Sequence, residues 1–246
     1  MIVTSPPYFN VKDYSHWDTY DDYLGFLSEA FRNFIRVLKP GRMCCVNIST
    51  FIIPRTKRND ESTRVPLPFH FVNLMEKVGY KFLEDIIWLK PEGSSKNRNG
   101  RFSLDRQPVQ YKPNVVNEYI FVFQKPSKYL IDKIVRSYTD KIKSQSLIED
   151  GYERSNVWRF NPETRSEHPA PFPLQLPTNL IKYYSYLNDI VLDPFAGSGT
   201  TAIAAINLKR GFVGFELDGA YYNLAKERIN KHIIDSDMQE TYTLIS

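Results

Sequence analysis

The stretch Asp193-Pro194-Phe195-Ala196-Gly197-Ser198-Gly199-Thr200-Thr201 decides how this chain of 246 residues folds. It follows a short β-branched run at 190–192 and opens an apolar helical pattern at 200–208, so it reads as a strand-to-helix turn. Glycines in such a turn let the backbone approach a ligand closely, and the helix start offers N–H groups to it. No lysine follows the glycines, which excludes a phosphate-binding P-loop. Only two of the three glycines of a dinucleotide fingerprint are present, so that reading fits poorly. The next strand, at 212–215, ends at Glu216, where a carboxylate can accept hydrogen bonds from both hydroxyls of a ribose. Turn and carboxylate together point to a nucleoside-bearing cofactor that needs no triphosphate.

Outward from this stretch, helices are expected at 174–186 and 220–234. Toward the other end the pattern predicts a short strand at 2–4 and a helix at 20–38, with Tyr23, Leu27, Phe31, Phe34 and Leu38 on one face. That helix stops at Lys39-Pro40-Gly41. A buried strand at 43–48, a helix at 69–78 closed by Gly79, and strands at 82–89 and 119–123 follow. Strands alternating with helices predict an α/β fold with a parallel sheet covered on both faces. The polar segment 55–64 reads as a mobile loop, and 92–110 as a long, basic, functional one. The irregular stretch 126–165 reads as an inserted lobe outside the central sheet.

The composition, 42% hydrophobic and 24% charged, is that of a soluble globular protein. No apolar run approaches a bilayer span, and no secretory signal pattern opens the chain, so the expected location is the cytoplasm. Cys44 and Cys45 are adjacent in an apolar run and are expected as buried free thiols. No cysteine or histidine pair has metal-ligand spacing, so no metal is expected. The net charge of +4 is modest. It is unevenly spread, with one basic stretch between Lys90 and Lys112 and another carrying Lys125, Lys128, Lys133, Arg136, Lys141 and Lys143. Either could neutralise phosphates or form an ordinary solvated surface.

A second motif, Ser5-Pro6-Pro7-Tyr8, stands near the first residue. Two prolines fix a rigid turn. Rigid carbonyls beside a hydroxyl make an acceptor set for an amino group, and Tyr8 offers a face on which a planar base can stack. Taken alone, the same residues would make a structural turn.

Together the two motifs resemble the amino-methyltransferases of bacterial restriction–modification and related orphan systems, which act on cytosine N4 or adenine N6. Those enzymes share a (Ser/Asn/Asp)-Pro-Pro-(Tyr/Phe) catalytic motif and a Phe-x-Gly-x-Gly cofactor motif. The catalytic motif comes first here, an order similar to the permuted beta subgroup. Val37-Leu38-Lys39-Pro40-Gly41, Ile86-Ile87-Trp88-Leu89-Lys90 and His168-Pro169-Ala170-Pro171-Phe172-Pro173 fall where that subgroup has similar segments.

The resemblance implies a Rossmann-like methyltransferase fold: a mostly parallel, seven-stranded type of sheet with one edge short, plus an inserted target-recognition lobe. Residues 1–125 would form the catalytic half, 126–165 the lobe and 166–246 the cofactor half. S-adenosylmethionine would be the cofactor, held by Asp193, Phe195, Gly197, Ser198, Gly199 and Thr200, with Glu216 on the ribose and Pro173 near the methionine end. Ser5 and the Pro6 carbonyl would accept hydrogen bonds from the target amino group, beside Pro7, and Tyr8 would stack on a base flipped out of the duplex. Catalysis would then be mainly positioning and electrostatic stabilisation, with no strong general base.

Serine at the first motif position is more typical of the cytosine-N4 enzymes, so cytosine N4 is expected, with adenine N6 as the alternative. Implied partners are duplex DNA, a homodimeric copy and a separately encoded restriction endonuclease. The subgroup usually carries a segment ahead of the catalytic strand with an acidic contact to the cofactor adenine. The sequence as given starts only a few residues ahead of Ser5, so either the true start lies upstream or that part of the pocket is short, and weakened cofactor binding is expected for the chain as given. Two rivals are an RNA or protein amino-methyltransferase, disfavoured by the motif order, and a catalytically inactive DNA-binding regulator, disfavoured by the intact motifs.

Overall fold

Alternation along the central strands builds two cores at once, because successive side chains leave a strand on opposite faces. The computed structural model describes residues 1–9, 16–53, 55, 57, 59–60, 62–94, 108–109, 113–148, 151–163, 173–239 and 241–244. Its strands are β1 (Ile2–Thr4), β2 (Met43–Ile48), β3 (Phe51–Ile53), β4 (Thr63–Val65), β5 (Lys81–Leu89), β6 (Asn117–Gln124), β7 (Val157–Arg159), β8 (Ile190–Asp193) and β9 (Gly211–Gly214). Its helices are α1 (Tyr20–Val37), α2 (Leu67–Val78), α3 (Ile131–Val135), α4 (Asp140–Gln145), α5 (Gln175–Tyr184), α6 (Thr200–Asn207) and α7 (Gly219–Asp235).

Seven strands form one sheet in the order β7-β5-β6-β2-β1-β8-β9. Among these described strands only β6 runs antiparallel to its neighbours. On one face Ile2, Cys44, Val46, Ile48, Phe121 and Phe123 pack against Tyr23, Leu27 and Phe31 of α1 and Phe71 and Met75 of α2. On the other face Val3, Cys45, Ile120, Val122 and Trp88 pack against Leu176 and Leu180 of α5 and Ala204 and Ala205 of α6. The two cysteines are free and buried on opposite faces, as expected of reduced thiols.

Local signals explain where the helices sit. Thr19 and Asp22 close a reciprocal capping box at the start of α1, with Asp22 N donating to Thr19 Oγ1 at 3.1 Å and Thr19 N to Asp22 Oδ2 at 3.1 Å. α2 ends at Gly79, whose φ of +110° closes the helix in the left-handed region.

The α/β architecture agrees with the sequence reading, and three elements differ from it. Thr63–Val65, placed at the end of a loop, pairs antiparallel with Phe51–Ile53 as a small separate sheet. Three-residue strands carrying Arg64 show too little alternation to read. Val157–Arg159, assigned to the inserted lobe, is the edge strand of the main sheet, parallel to β5, with Trp158 buried.

The third difference concerns the basic stretch. Helices α3 and α4 lie at the N-terminal ends of β2 and β8, where Tyr138 Oη donates to Asp189 Oδ1 at 2.6 Å and its ring stacks on Tyr186 at 4.3 Å. Arg42 pairs with the same Asp189 at 3.2 Å. The catalytic motif leaves the opposite, C-terminal end of β1. Residues 131–145 therefore belong to the far end of the molecule, and charge density alone carries no information about which end it occupies. Most of the other basic segment, 95–107 and 110–112, lies outside the described residues.

Candidate active site

Two neighbouring parallel strands bring the motifs together. β1 lies beside β8, so their C-terminal ends deliver Ser5 and the glycine turn to the same rim of the sheet. A buried hydrogen bond closes the seam: Thr4 Oγ1 donates to Asp193 Oδ1 at 2.6 Å. Asp193 also accepts from Thr201 Oγ1 at 2.6 Å and from Phe195 N at 3.1 Å. Burial pushes its carboxyl from the ordinary 3.8 up to about 6, against the opposing pull of those three donors. Asp193 is 1% exposed with both oxygens engaged, so it shapes the turn rather than facing a ligand.

The turn itself needs its glycines. Gly197 and Gly199 have φ of +50° and +79°, where an L side chain is strained. At Gly199 a Cβ would also come within 3.1 Å of Ile229 and 3.3 Å of Ala225 on α7. Ser198 is buried, and its carbonyl accepts from Arg228. Phe195 meets Phe34 edge-on at 5.8 Å and Phe26 at 6.3 Å, which fastens the turn to α1. Thr200 opens α6, and Pro173 lies buried just before α5.

Glu216 bridges the turn to the next loop. Its Oε2 accepts from Gly197 N at 2.8 Å and its Oε1 from Asp218 N at 3.0 Å. A carboxylate has about four lone-pair positions, so this half-buried group keeps acceptors for two ribose hydroxyls. The free acceptor positions of Glu216 and the glycines of the turn thus fit a nucleoside. Glu216→Gln is expected to weaken S-adenosylmethionine binding by about 10- to 100-fold, since charge-assisted bonds contribute about 1.5–3 kcal/mol. Calorimetric titration checks this; an unchanged affinity would remove Glu216 from the site.

The catalytic loop is pinned from the other side. Tyr23 Oη on α1 donates to the Pro7 carbonyl at 2.9 Å. Phe9 wedges between Tyr20 and Tyr23, each 5.8 Å away, and Phe51 at 5.9 Å. Pro6 is buried, and among the described residues nothing bonds to its carbonyl. The half-buried Tyr8 bonds to the Ser5 side chain and the Ser49 backbone, and burial raises its hydroxyl pKa well above the usual value. The structure thus brings Ser5, Pro6, Pro7 and Tyr8 beside Phe195, Gly197, Ser198, Gly199 and Glu216. It adds Thr4, Phe9, Tyr23 and Thr201, which the motifs did not single out. Thr4 directly precedes the Ser5–Tyr8 motif and Thr201 is the last residue of the quoted glycine stretch, though neither was given a site role, and Tyr23 was legible only as one residue of a core-facing helix stripe.

Sheet order, glycine turn and the carboxylate after β9 together define a Rossmann-like methyltransferase fold. TTHA0409 of Thermus thermophilus, described as a DNA modification methylase and solved in complex with S-adenosyl-L-methionine, superposes with a TM-score of 0.74 at 29% identity, covering 94% of this chain and 85% of that one. The N6/N4 model described as DNA methylase matches residues 1–227, and the chain belongs to that family. The Type II beta methyltransferase M.BslI of Bacillus sp. (strain NEB-606) is 31% identical over 234 residues, covering 92% of this chain and 25% of M.BslI. The Type II methyltransferase M.BglII of Bacillus subtilis is 29% identical over 232 residues, covering 92% of this chain and 62% of M.BglII. The chain therefore spans less than two thirds of either relative. Among the described residues no cluster could hold a metal ion, and no helix is long and apolar enough to cross a membrane.

Proposed function

We propose that the chain transfers a methyl group from S-adenosylmethionine to the exocyclic amino group of a base flipped out of duplex DNA, cytosine N4 ahead of adenine N6. The observation that carries this reading is the Thr4–Asp193 bond, which locks the amino-binding loop beside the nucleoside-binding turn. The related M.BslI and the S-adenosylmethionine complex of TTHA0409 support it. The cofactor supplies an electrophilic sulfonium methyl. Glu216 would hold its ribose, while Gly197, Gly199 and Phe195 would shape the surface beneath it and Pro173 would border its methionine end.

Ser5 and the Pro6 carbonyl would accept the two amino N–H bonds. Those bonds would draw lone-pair density onto the amino nitrogen and make it the better nucleophile toward the methyl group. Methylation makes the N–H proton acidic, so it can leave late without a strong base. Pinning by Tyr23 and Phe9 keeps the acceptors in place, and the contribution is mainly positioning and electrostatics. Serine at the first motif position supports cytosine N4.

Sequence readout is assigned to the chain between β5 and β6, because β5 ends and β6 begins at the rim that holds Ser5. The same reading includes a homodimeric copy and a restriction endonuclease of matching specificity as partners. Buried reduced thiols fit action in the cytoplasm. Sequencing of methylated bases in DNA from cells expressing the protein is expected to show N4-methylcytosine at one short site. N6-methyladenine there would overturn the base assignment, and unmodified DNA together with folded protein would overturn the activity.

A further inference from the structure

Helices α3 and α4 lie at the end of the sheet away from Ser5, so methyl transfer leaves their positive charge without a task. Arg136 and Lys141 are exposed there, and among the described residues neither pairs with an acid. Lys143 differs, with its Nζ 2.7 Å from Asp140 Oδ1. Beyond α4, Ser146 Oγ accepts from Leu187 N at 3.0 Å, which fastens the chain to the loop after α5. Leu147 then stands 70% exposed.

Beside this segment the edge of the sheet is notched. β7 pairs with β5 only from Ile87 onward, so the first half of β5 has no strand on that side among the described residues. The notch holds about 410 Å³. Trp158, Tyr152 and Ile148 line it together with Glu84, Asp85 and Glu153. The segment carrying Glu153 is held in place: Glu153 N donates to Tyr183 Oη at 2.9 Å, and Tyr183 Oη donates to the Gly151 carbonyl at 2.9 Å. Among the described residues no cation pairs with any of the three acids. Only Arg154 opposes them in the lining, so the notch keeps a net negative charge.

We propose that this notch receives helix α4 of a second copy of the chain, while the first copy's α4 enters the second copy's notch in return. Charge carries the choice of partner. The unpaired Arg136 and Lys141 complement Glu84 and Glu153, and an ammonium entering the notch also meets the Tyr152 ring. A two-fold dimer requires both halves of the contact on one face of each copy. They are neighbours here: Ile148 lines the notch three residues after α4 ends, so its Cα is at most about 17 Å from that of Lys141. The same pairing would cover the exposed Leu147 and Tyr152. DNA phosphates are excluded from the notch by its acids, and the rim holding Ser5 stays open to DNA at the opposite ends of the strands. This interface does not depend on the methyl-transfer reading.

The test measures mass in solution by sedimentation equilibrium for the wild type, for Glu84→Lys/Glu153→Lys, for Arg136→Glu/Lys141→Glu, and for an equimolar mixture of the two variants. The wild type is expected to be a dimer that weakens with added salt. Each variant alone brings like charges together and should raise the dissociation constant about 100-fold or more. The mixture should recover the dimer, because every contact again joins opposite charges. All four side chains belong to exposed residues, so melting temperatures should stay at the wild-type value. A monomeric wild type, dimers indifferent to both reversals, or a mixture that stays monomeric while both variants melt normally would overturn the proposal. Should a reversed variant melt early, the neutral pair Glu84→Gln/Glu153→Gln decides: a dimer weakened about 10-fold supports the contact, and an unweakened one overturns it. A dimer that methylates no DNA would count against the proposed function alone.

Discussion

Replacing Asp193 with alanine is expected to abolish cofactor binding and to lower the stability of the fold by about 3 kcal/mol. Three buried donors, the hydroxyls of Thr4 and Thr201 and the Phe195 N–H, converge on this carboxylate. Alanine leaves all three without an acceptor, and the relief from burying a carboxylate offsets only part of that loss. The seam between β1 and β8 would open, and the glycine turn would lose the bond that sets its first step. Denaturant unfolding and calorimetry with S-adenosylmethionine read the two effects separately; a stable variant that still binds the cofactor would show that the turn holds itself.

The same group sets an expected pH dependence. Its folded-state pKa of about 6 lies above the ordinary 3.8, so the folded chain binds this proton more tightly than the unfolded one. Between these values this site alone adds stability as pH falls, and above about 6 that contribution is gone. Protonation also turns one oxygen toward donating, into a ring of donors. Cofactor affinity should therefore weaken as pH drops through about 6. In Asp193→Asn that step should vanish; a step of equal size in the variant would assign it to another group.

The second large effect is expected at Tyr8. Tyr8→Ala should reduce kcat by about 10²- to 10³-fold, since it removes a stacking face for the flipped base, worth about 1–3 kcal/mol, and the bond to Ser5. Tyr8→Phe keeps the face and should lose much less. Cofactor affinity should be unchanged in both, because Tyr8 stands on the loop after β1 and not on the glycine turn. Single-turnover methylation of duplex DNA measures this, and equal rates for alanine and wild type would take Tyr8 out of the reaction.

What the sequence made legible follows from how far each signal reaches. An apolar run such as Met43–Ile48 announces a buried strand by itself, and the glycines at 197 and 199 announce their turn. The strand-helix alternation around them yields the architecture. Less local relations stayed hidden. Tyr23 reads as one more apolar position on a helix face, and only the approach of α1 to the loop turns its hydroxyl into a clasp on Pro7. Thr4 and Thr201 look like ordinary threonines until Asp193 is seen between them. Three-residue strands such as Thr63–Val65 and Val157–Arg159 give the pattern too few residues to register. The lysines of residues 125–143 left phosphate contacts and a solvated surface equally open, and α3 and α4 are tied by Tyr138 and Asp189 to the end of the sheet away from Ser5.

The seam between β1 and β8 has a meaning for ancestry. Thr4 and Asp193 stand 189 positions apart in sequence and meet as side chains, not through a connecting loop. Parallel strands joined this way are indifferent to which is translated first. A gene could be rearranged so that either motif leads, and the protein would keep the same clasp provided both strands still reached the sheet. The motif order that marks a subgroup is then a record of gene history, written on a joint whose chemistry does not read it.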